Sequence, residues 1–561
     1  MLACLLAVFV YFFGLDSQHI PKNGDEYVYE HITRLTADSG KLLPLQSQLD
    51  NMRNTKPPLL FWQGIVSTDS GRDWTLWNLR YPSVIYTLLT ATMLFMLGLK
   101  LSKRVENGFI AALTFLAFFT TYRFGRPFLT NAPEVFWIFL PFFVLLYWRQ
   151  AFASRWLIPL LLGISIGIGF LYKSFALGLP VTLGLAGWYL HQRHYRVAEF
   201  LKQDVLKVAI TVTVAVALFA SWFVLDPDPQ AVWKEFVVGE NVGKFDPHGP
   251  SYLSKLLWGS SSIWSYALAF LTNPGLLTFP VVALFFVAYK RRDMLSNEEK
   301  LLWIWIAVMF LSFALPSQRS GRYMLAAMPA VVLLCALNWQ HISRKAFIAS
   351  LVFAGAFIAF LAYLAVRLQA EIPDVYPLTF WLLIAGTGML ALLAIVIPGF
   401  TRPGVNVVAL LVLLCLAAFL HPFDGALGNY SIEAQRYASG KNVAVPCNFR
   451  AMDEGHRFML PGAQISGYNE DQNLTASDLA SRFPLFAVQI ALNDGTQNGG
   501  CATCKIIGSR LDIRGRQSSA ELKEMLLEGK VFQHLFIREV LMESSDANKS
   551  VTPLTLPQTC R

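Results

Sequence analysis

Residues 346–366 read AFIASLVFAGAFIAFLAYLAV and hold no charged side chain, while Arg344 and Lys345 precede them and Arg367 follows. A hydrocarbon layer about 30 Å thick is crossed by roughly 20 apolar residues in a helix. Backbone polar groups in lipid must pair within the structure that spans it. The stretch therefore predicts a membrane-crossing helix. The same pattern recurs at about 1–15, 81–100, 107–121, 133–148, 156–172, 175–190, 208–225, 262–289, 299–315, 322–339, 377–397 and 405–421, giving thirteen apolar segments in all. No period-two alternation of the kind a transmembrane β-barrel needs runs through this region. The fold class expected is an all-α polytopic membrane protein with about 13 transmembrane helices.

Composition agrees. The 561 residues are 55% hydrophobic and 15% charged, whereas a soluble domain carries about 25% charged residues. The formal charge of +9 is read as the surplus of basic residues that cytoplasmic loops carry, and no nucleic-acid partner is expected. Orientation follows from where those residues lie. Alternate loops hold Lys100, Lys103 and Arg104, then Arg193, Arg196, Lys202 and Lys207, then Lys290, Arg291, Arg292 and Lys300. These mark the cytoplasm, so the long loops 16–80 and 226–261 and the tail 422–561 lie outside. The expected division is a membrane domain over 1–421 and a soluble domain over 422–561.

Cysteines give a second line of evidence for that topology. Cys4, Cys335 and Cys415 lie in apolar runs, whereas Cys447, Cys501, Cys504 and Cys560 all lie in the polar tail. An even set in a polar domain predicts disulfides in an oxidising compartment; the C-x-x-C of Cys501 and Cys504 also admits a redox or zinc reading. Strands are expected over 441–446, 485–491, 504–513 and 534–540, and a helix over 518–528 with Ser518 as its N-cap. The tail is thus a small α+β domain, and it carries no constellation of its own that points to chemistry.

Four groups of residues outside the apolar segments could carry chemistry. Asp25 and Glu26 follow the first segment; two adjacent acids there can supply a general base or bind a metal, or simply favour a helix N-terminus. Val28, Ile32 and Leu35 continue at helical spacing and predict an amphipathic helix lying flat on the membrane, with Trp74, Trp77 and Tyr81 as later interfacial anchors. Lys56 precedes Pro57 and Pro58, whose fixed φ holds it at a defined place; it can meet a phosphate as a point charge or merely anchor the chain. Arg123, Arg126, Lys173, Arg319 and Arg322 place positive charge outside, against the orientation rule. An anionic ligand explains the set, and snorkelling or ion pairing explains any one of them. Glu240 and Asn241 lie in the second external loop. The sequence assigns no cofactor and no metal-ligand set.

The order of these motifs is G-D-E-Y at 24–27, K-P-P-L-L-F-W at 56–62, R-P-F-L-T-N at 126–131, G-E-N-V-G-K-F at 239–245 and G-R-Y-M-L-A-A-M-P at 321–329. It resembles the polytopic C-type glycosyltransferases that take sugar from a polyprenyl phosphate. The bacterial branch related to protein O-mannosyltransferases and to the aminoarabinose transferase of lipid A is the most similar. The resemblance covers roughly residues 1–421. It implies that Asp25 is the catalytic acidic residue, with Glu26 its neighbour, and that Lys56, Arg126, Arg322 and Tyr323 line the donor phosphate pocket. It further implies an acceptor or loop role for Asn131, Glu134, Glu240 and Asn241. Thr55 stands where the aminoarabinose branch has Glu, and Asn131 stands near a second Asp of many members, with Glu134 one turn away. The expected partners are a polyprenyl-phosphate sugar and membrane lipid. The expected activity is inverting transfer to lipid A, another glycan or a protein at the periplasmic face of the inner membrane. A lipid or solute transporter or flippase is the rival. It predicts internal repeats and charges near the midplane, whereas the charges here cluster at external helix ends and the two halves show no repeat.

Overall fold

The computed structural model describes residues 2–21, 23–244, 252–259, 261–316, 318–447, 449–469, 474–492, 499–514 and 517–545. All thirteen apolar segments are helical. They resolve into helices of unequal length. Leu76–Ser102, Val205–Leu225, Arg344–Glu371, Leu378–Val396 and Pro398–Asp424 are each long and apolar enough to cross a membrane. Leu2–Phe12, Asn131–Tyr147, Leu157–Tyr172 and Gly321–Leu337 are apolar but shorter. The outer faces confirm the surround. Val352, Leu382, Met389 and Leu392 are each more than half exposed, and an apolar helix with apolar residues on its unpacked face is stable only against lipid.

Two segments read as single spans are bent. Val105–Ala117 meets Phe119–Gly125 at 64°, and Ile263–Thr272 meets Gly275–Lys290 at 97°. A break frees backbone groups that lipid cannot satisfy, so it survives only when buried partners take them up. The two breaks do this for each other. Thr120 donates to the Asn273 carbonyl from its backbone N–H at 3.2 Å and from its Oγ1 at 2.9 Å, and Asn273 Nδ2 donates to the Gly321 carbonyl at 3.2 Å. Gly275 makes the contact possible. Its φ is +60°, and a Cβ there would stand 2.6 Å from Phe119 Cβ.

The N-terminal helices are α1 (Leu2–Phe12), α2 (Gly24–Asp38), α3 (Leu59–Ser67) and α4 (Leu76–Ser102). Asn23 caps α2 with an extended backbone, its side chain accepting from the Asp25 N–H at 3.2 Å. Asp25 and Glu26 then sit in the first turn, where negative charge is favoured. Helix α2 does not lie on a membrane surface as its amphipathic spacing suggested. Val28 and Ile32 are buried, and so are Glu26, Glu30, His31, Thr33 and Thr36 on its other faces. It is enclosed by α3 on one side and by the C-terminal domain on another. Against α3 the approach is close: a Cβ on Gly64 would stand 2.8 Å from Thr33 Cγ2 and 2.7 Å from Phe128 Cζ.

The tail forms a five-stranded sheet of β1 (Asn442–Pro446), β2 (Gln464–Tyr468), β3 (Leu485–Ile490), β4 (Cys504–Ile513) and β5 (Phe536–Ser544), in the order β2-β1-β3-β5-β4. β1 runs parallel to β2 and β3, and β5 lies antiparallel between β3 and β4. Both faces are covered. Ala444, Phe486, Val488, Val540 and Met542 pack on one side, and Val443, Val445, Leu485, Ala487 and Leu541 on the other, as period-two alternation requires. Strand β2 was not anticipated; QISGY is short, contains a glycine and has few β-formers. The 534–540 segment begins as helix and pairs two residues later than read, running on to Ser544. Ser518 caps the helix after β4 within a capping box with Glu521. Cys501 is bonded to Cys504, and Cys447 is disulfide-bonded as well; Cys560 lies outside the described residues.

Candidate active site

Asp25, Tyr29, Lys56, Asn131, Glu134, Lys173, Glu240, Asn241, Arg322 and Tyr323 come from segments far apart in sequence, yet all line one cavity of about 460 Å³. Helix ends and turns place most of them. Asp25 and Tyr29 stand one turn apart on α2. Lys56 is fixed by the Pro57-Pro58 turn into α3, and its Nζ donates to the Thr55 carbonyl at 2.9 Å. Glu134 is in the first turn of Asn131–Tyr147. Lys173 ends the helix Leu157–Tyr172. Arg322 and Tyr323 open the 3₁₀ turn Gly321–Ala327.

Charges in the cavity are matched one for one. Arg322 Nη1 donates to Asp25 Oδ2 at 2.5 Å. Lys56 Nζ donates to Glu240 Oε1 at 2.5 Å. Lys173 Nζ donates to Glu134 Oε2, and it lies 5.9 Å from the centre of the Tyr323 ring. Asp25 and Arg322 are each more than a third exposed, so their attraction is weakened by solvent. A ligand with its own charge can replace either partner. Burial pushes the Tyr29 phenol well up, and the neighbouring Asp25 charge adds to this, so Tyr29 stays a neutral donor. Asn241 accepts from Ser174 Oγ at 2.7 Å and donates to the Phe236 carbonyl at 2.8 Å. Asn131 Nδ2 is buried with no hydrogen-bond partner among the described residues. A buried orphan donor on a cavity wall marks a place for a polar ligand atom or a water. At the mouth, Leu179, Val242 and Leu315 line the same space while standing about half exposed. Among the described residues no group of three or more His, Cys, Asp or Glu is placed to hold a metal ion.

Two residues expected in the site lie elsewhere. Glu26 accepts from Arg80 Nε and Nη2, both at 2.7 Å, and from the Phe128 N–H at 2.7 Å. Arg80 in turn donates to the Leu15 carbonyl at 3.0 Å and to the Ser17 carbonyl. This buried knot ties α1, α2 and α4 together. Arg126 is fully buried and donates to the Tyr11 and Phe13 carbonyls at 3.0 and 2.5 Å, and to the Tyr122 hydroxyl. It satisfies carbonyls left open at the end of α1 and lines no part of the cavity. Removing one partner of a buried ion pair costs about 3–5 kcal/mol. Glu26→Gln should therefore lower the thermal unfolding temperature of the detergent-solubilised protein, whereas Asp25→Asn should leave it nearly unchanged. Lys173 and Tyr29 are the residues the motif reading left out of the site. The signal for Lys173 was its position on the outer side, against the charge rule; Tyr29 stands one helical turn after Asp25.

Residues 22–228 match the family model of the dolichyl-phosphate-mannose-protein mannosyltransferases. The crystal structure of ArnT from Cupriavidus metallidurans in the apo state superposes with a TM-score of 0.60 at 14% identity, covering 96% of this chain and 97% of that one. The chain has an ArnT-like fold. The same protein bound to undecaprenyl phosphate superposes with a TM-score of 0.59 at 15% identity, again over 96% and 97% of the two chains. An undecaprenyl phosphate-alpha-4-amino-4-deoxy-L-arabinose arabinosyl transferase of Proteus mirabilis is 25% identical over 357 residues, 62% of this chain and 60% of that protein. The chain thus spans about three fifths of the length of the curated relatives it matches. These likenesses agree with the resemblance carried by the G-D-E-Y and K-P-P-L-L-F-W motifs, and with the ArnT-like fold as a multi-span membrane protein closed by a small C-terminal sheet domain.

Proposed function

We propose that this protein is an inverting glycosyltransferase that moves a sugar from a polyprenyl phosphate to an envelope acceptor at the periplasmic face of the bacterial inner membrane. The observation that carries the reading is the meeting of Asp25, Lys56, Lys173 and Arg322 in one cavity whose mouth is apolar. A prenyl chain fits a mouth built by Leu179, Val242 and Leu315, and its phosphate fits the three cations that line the same cavity. Curated relatives named for undecaprenyl phosphate and an ArnT structure bound to that lipid support the same donor.

The chemistry follows from charge. In the donor the phosphate is a diester with one negative charge. The acceptor oxygen attacks the anomeric carbon from the face opposite the phosphate, the carbon–oxygen bond to phosphate breaks, and a lipid monoester leaves with a second charge developing. A hydroxyl acceptor gives its proton to Asp25; a phosphate acceptor is already ionised, and Asp25 then positions it. Lys56, Arg322 and Lys173 interact more strongly as charge grows, and only interactions that strengthen toward the transition state raise kcat. The carboxylates paired with these cations keep them oriented before donor arrives.

The test is a comparison of envelope glycolipids and glycoproteins by mass spectrometry with and without the protein, together with incubation of the purified protein with an undecaprenyl phosphate sugar. The expected result is loss of one sugar-bearing species from the envelope and release of free undecaprenyl phosphate in vitro only when acceptor is present. An unchanged envelope and a donor that stays intact would reject the proposal.

A further inference from the structure

Helix α2 has two working faces. At 3.6 residues per turn, Asp25 and Tyr29 lie within about 40° of each other, and Arg34 lies about 180° round from Asp25. The first pair lines the cavity. On the opposite side, the polar contacts with the C-terminal domain converge on one side chain, Glu454. Arg34 donates to it twice, from Nε to Oε2 at 3.0 Å and from Nη2 to Oε1 at 2.6 Å. The Gln48 N–H donates to His31 Nε2 at 3.0 Å, so the ring proton sits on Nδ1 and is donated to Glu454 Oε1 at 2.7 Å. Arg457 Nε donates to Glu454 Oε2 at 2.9 Å. The Glu454 side chain is 1% exposed.

Apolar contacts surround this joint. Trp74 stacks on Phe458 with ring centres 6.3 Å apart, so it belongs to the joint rather than to a membrane interface. Gln18 Nε2 donates to the Gly455 carbonyl at 2.9 Å. Gly455 itself lies against Tyr27, and a Cβ there would stand 3.1 Å from Tyr27 Cε1. Burial alone would raise the Glu454 carboxyl, but the hydrogen bonds from His31 and Arg34 and the Arg457 charge outweigh it and hold the group well below the usual carboxylate range. It is therefore ionised at every physiological pH. Fork geometry fixes direction as well as distance, so the bidentate Arg34 contact resists rotation of α2 about its own axis.

We propose that Glu454 is a positioning residue: through Arg34 and His31 the C-terminal domain fixes the rotation of α2 and so the place of Asp25 in the cavity. The effect on rate rests on the glycosyltransferase reading above; the effect on α2 does not. The tail thereby has a part in catalysis without touching substrate.

The experiment uses the full-length protein in nanodiscs and the isosteric variant Glu454→Gln, with Arg34→Lys as a second variant that keeps charge but not the fork. Two quantities are read: amide hydrogen exchange of 25–38, and kcat and KM for transfer from an undecaprenyl phosphate sugar. Exchange in α2 should rise at least about tenfold while β1–β5 stay as protected as in the wild type. Transfer should fall about 10- to 100-fold in kcat with KM for donor unchanged. Arg34→Lys should move both readouts the same way, and it carries the test alone if Glu454→Gln does not fold. Unchanged exchange in α2, exchange that rises equally in β1–β5, or a loosened α2 with unchanged kcat would each overturn the proposal. A wild-type protein that transfers nothing, combined with a loosened α2 in the variants, would reject the glycosyltransferase reading and leave the clamp on α2 supported.

Discussion

Asp25→Asn should reduce sugar transfer by about 10²–10⁴-fold, the range a positioned acid or base contributes, and leave the protein folded. Its side chain is 38% exposed and its partner Arg322 is 37% exposed, so little stability depends on the pair. The amide keeps the size and can still accept from Arg322, but it cannot take a proton. Loss should therefore appear in kcat, with donor KM nearly constant, because the donor phosphate is not its contact. The measurement is steady-state release of undecaprenyl phosphate by liquid chromatography, with thermal unfolding recorded beside it. Retained transfer would remove Asp25 from the chemistry. The adjacent Glu26→Gln supplies the contrast. It breaks the buried Arg80 knot and should act through folding.

Lys56→Ala should cost about 10²–10³-fold in kcat, the usual loss when one preorganised charge is removed from a site where charge develops. Lys56 is 13% exposed and Glu240 is 30% exposed, so the site is partly shielded and the charge acts at short range. The alanine variant also leaves Glu240 without this partner beside the departing phosphate, which adds repulsion to lost attraction. Lys56→Arg should recover only part of the loss. The Pro57-Pro58 turn sets the direction of a linear side chain, and a planar guanidinium presents its donors differently. Transfer assays on the three proteins under one donor concentration series check this. Equal kcat in wild type and Lys56→Ala would contradict the role.

Much of this arrangement was legible in the residues. Charge-free runs such as 346–366 name their own environment, because lipid leaves a chain of that composition only the helix. The cap at Asn23 and the turn at Pro57-Pro58 are local, and both place site residues. What could not be read is how faces are shared. Asp25 and Glu26 are neighbours in sequence but stand about 100° apart on the helix, so one reaches the cavity and the other reaches Arg80. The spacing of Val28, Ile32 and Leu35 predicts an apolar face but not whether protein or lipid covers it; the cover is α3, while the C-terminal domain closes another side. Arg126 looked like a phosphate ligand because it is basic and external. Its partners are carbonyls at the end of α1, more than a hundred residues earlier in the chain. The break at Asn273 and Pro274 depends in the same way on Thr120 and Gly321.

The central claim is that the lipid phosphate is received by cations now held by carboxylates. A structure of the full-length protein in nanodiscs with undecaprenyl phosphate tests it most directly. The account predicts the phosphate inside the cavity, in contact with Lys56 Nζ and Arg322, with Glu240 displaced from Lys56 and the prenyl chain leaving past Leu179 and Leu315. A phosphate bound away from Lys56 and Arg322, with the Lys56–Glu240 pair intact, would contradict it.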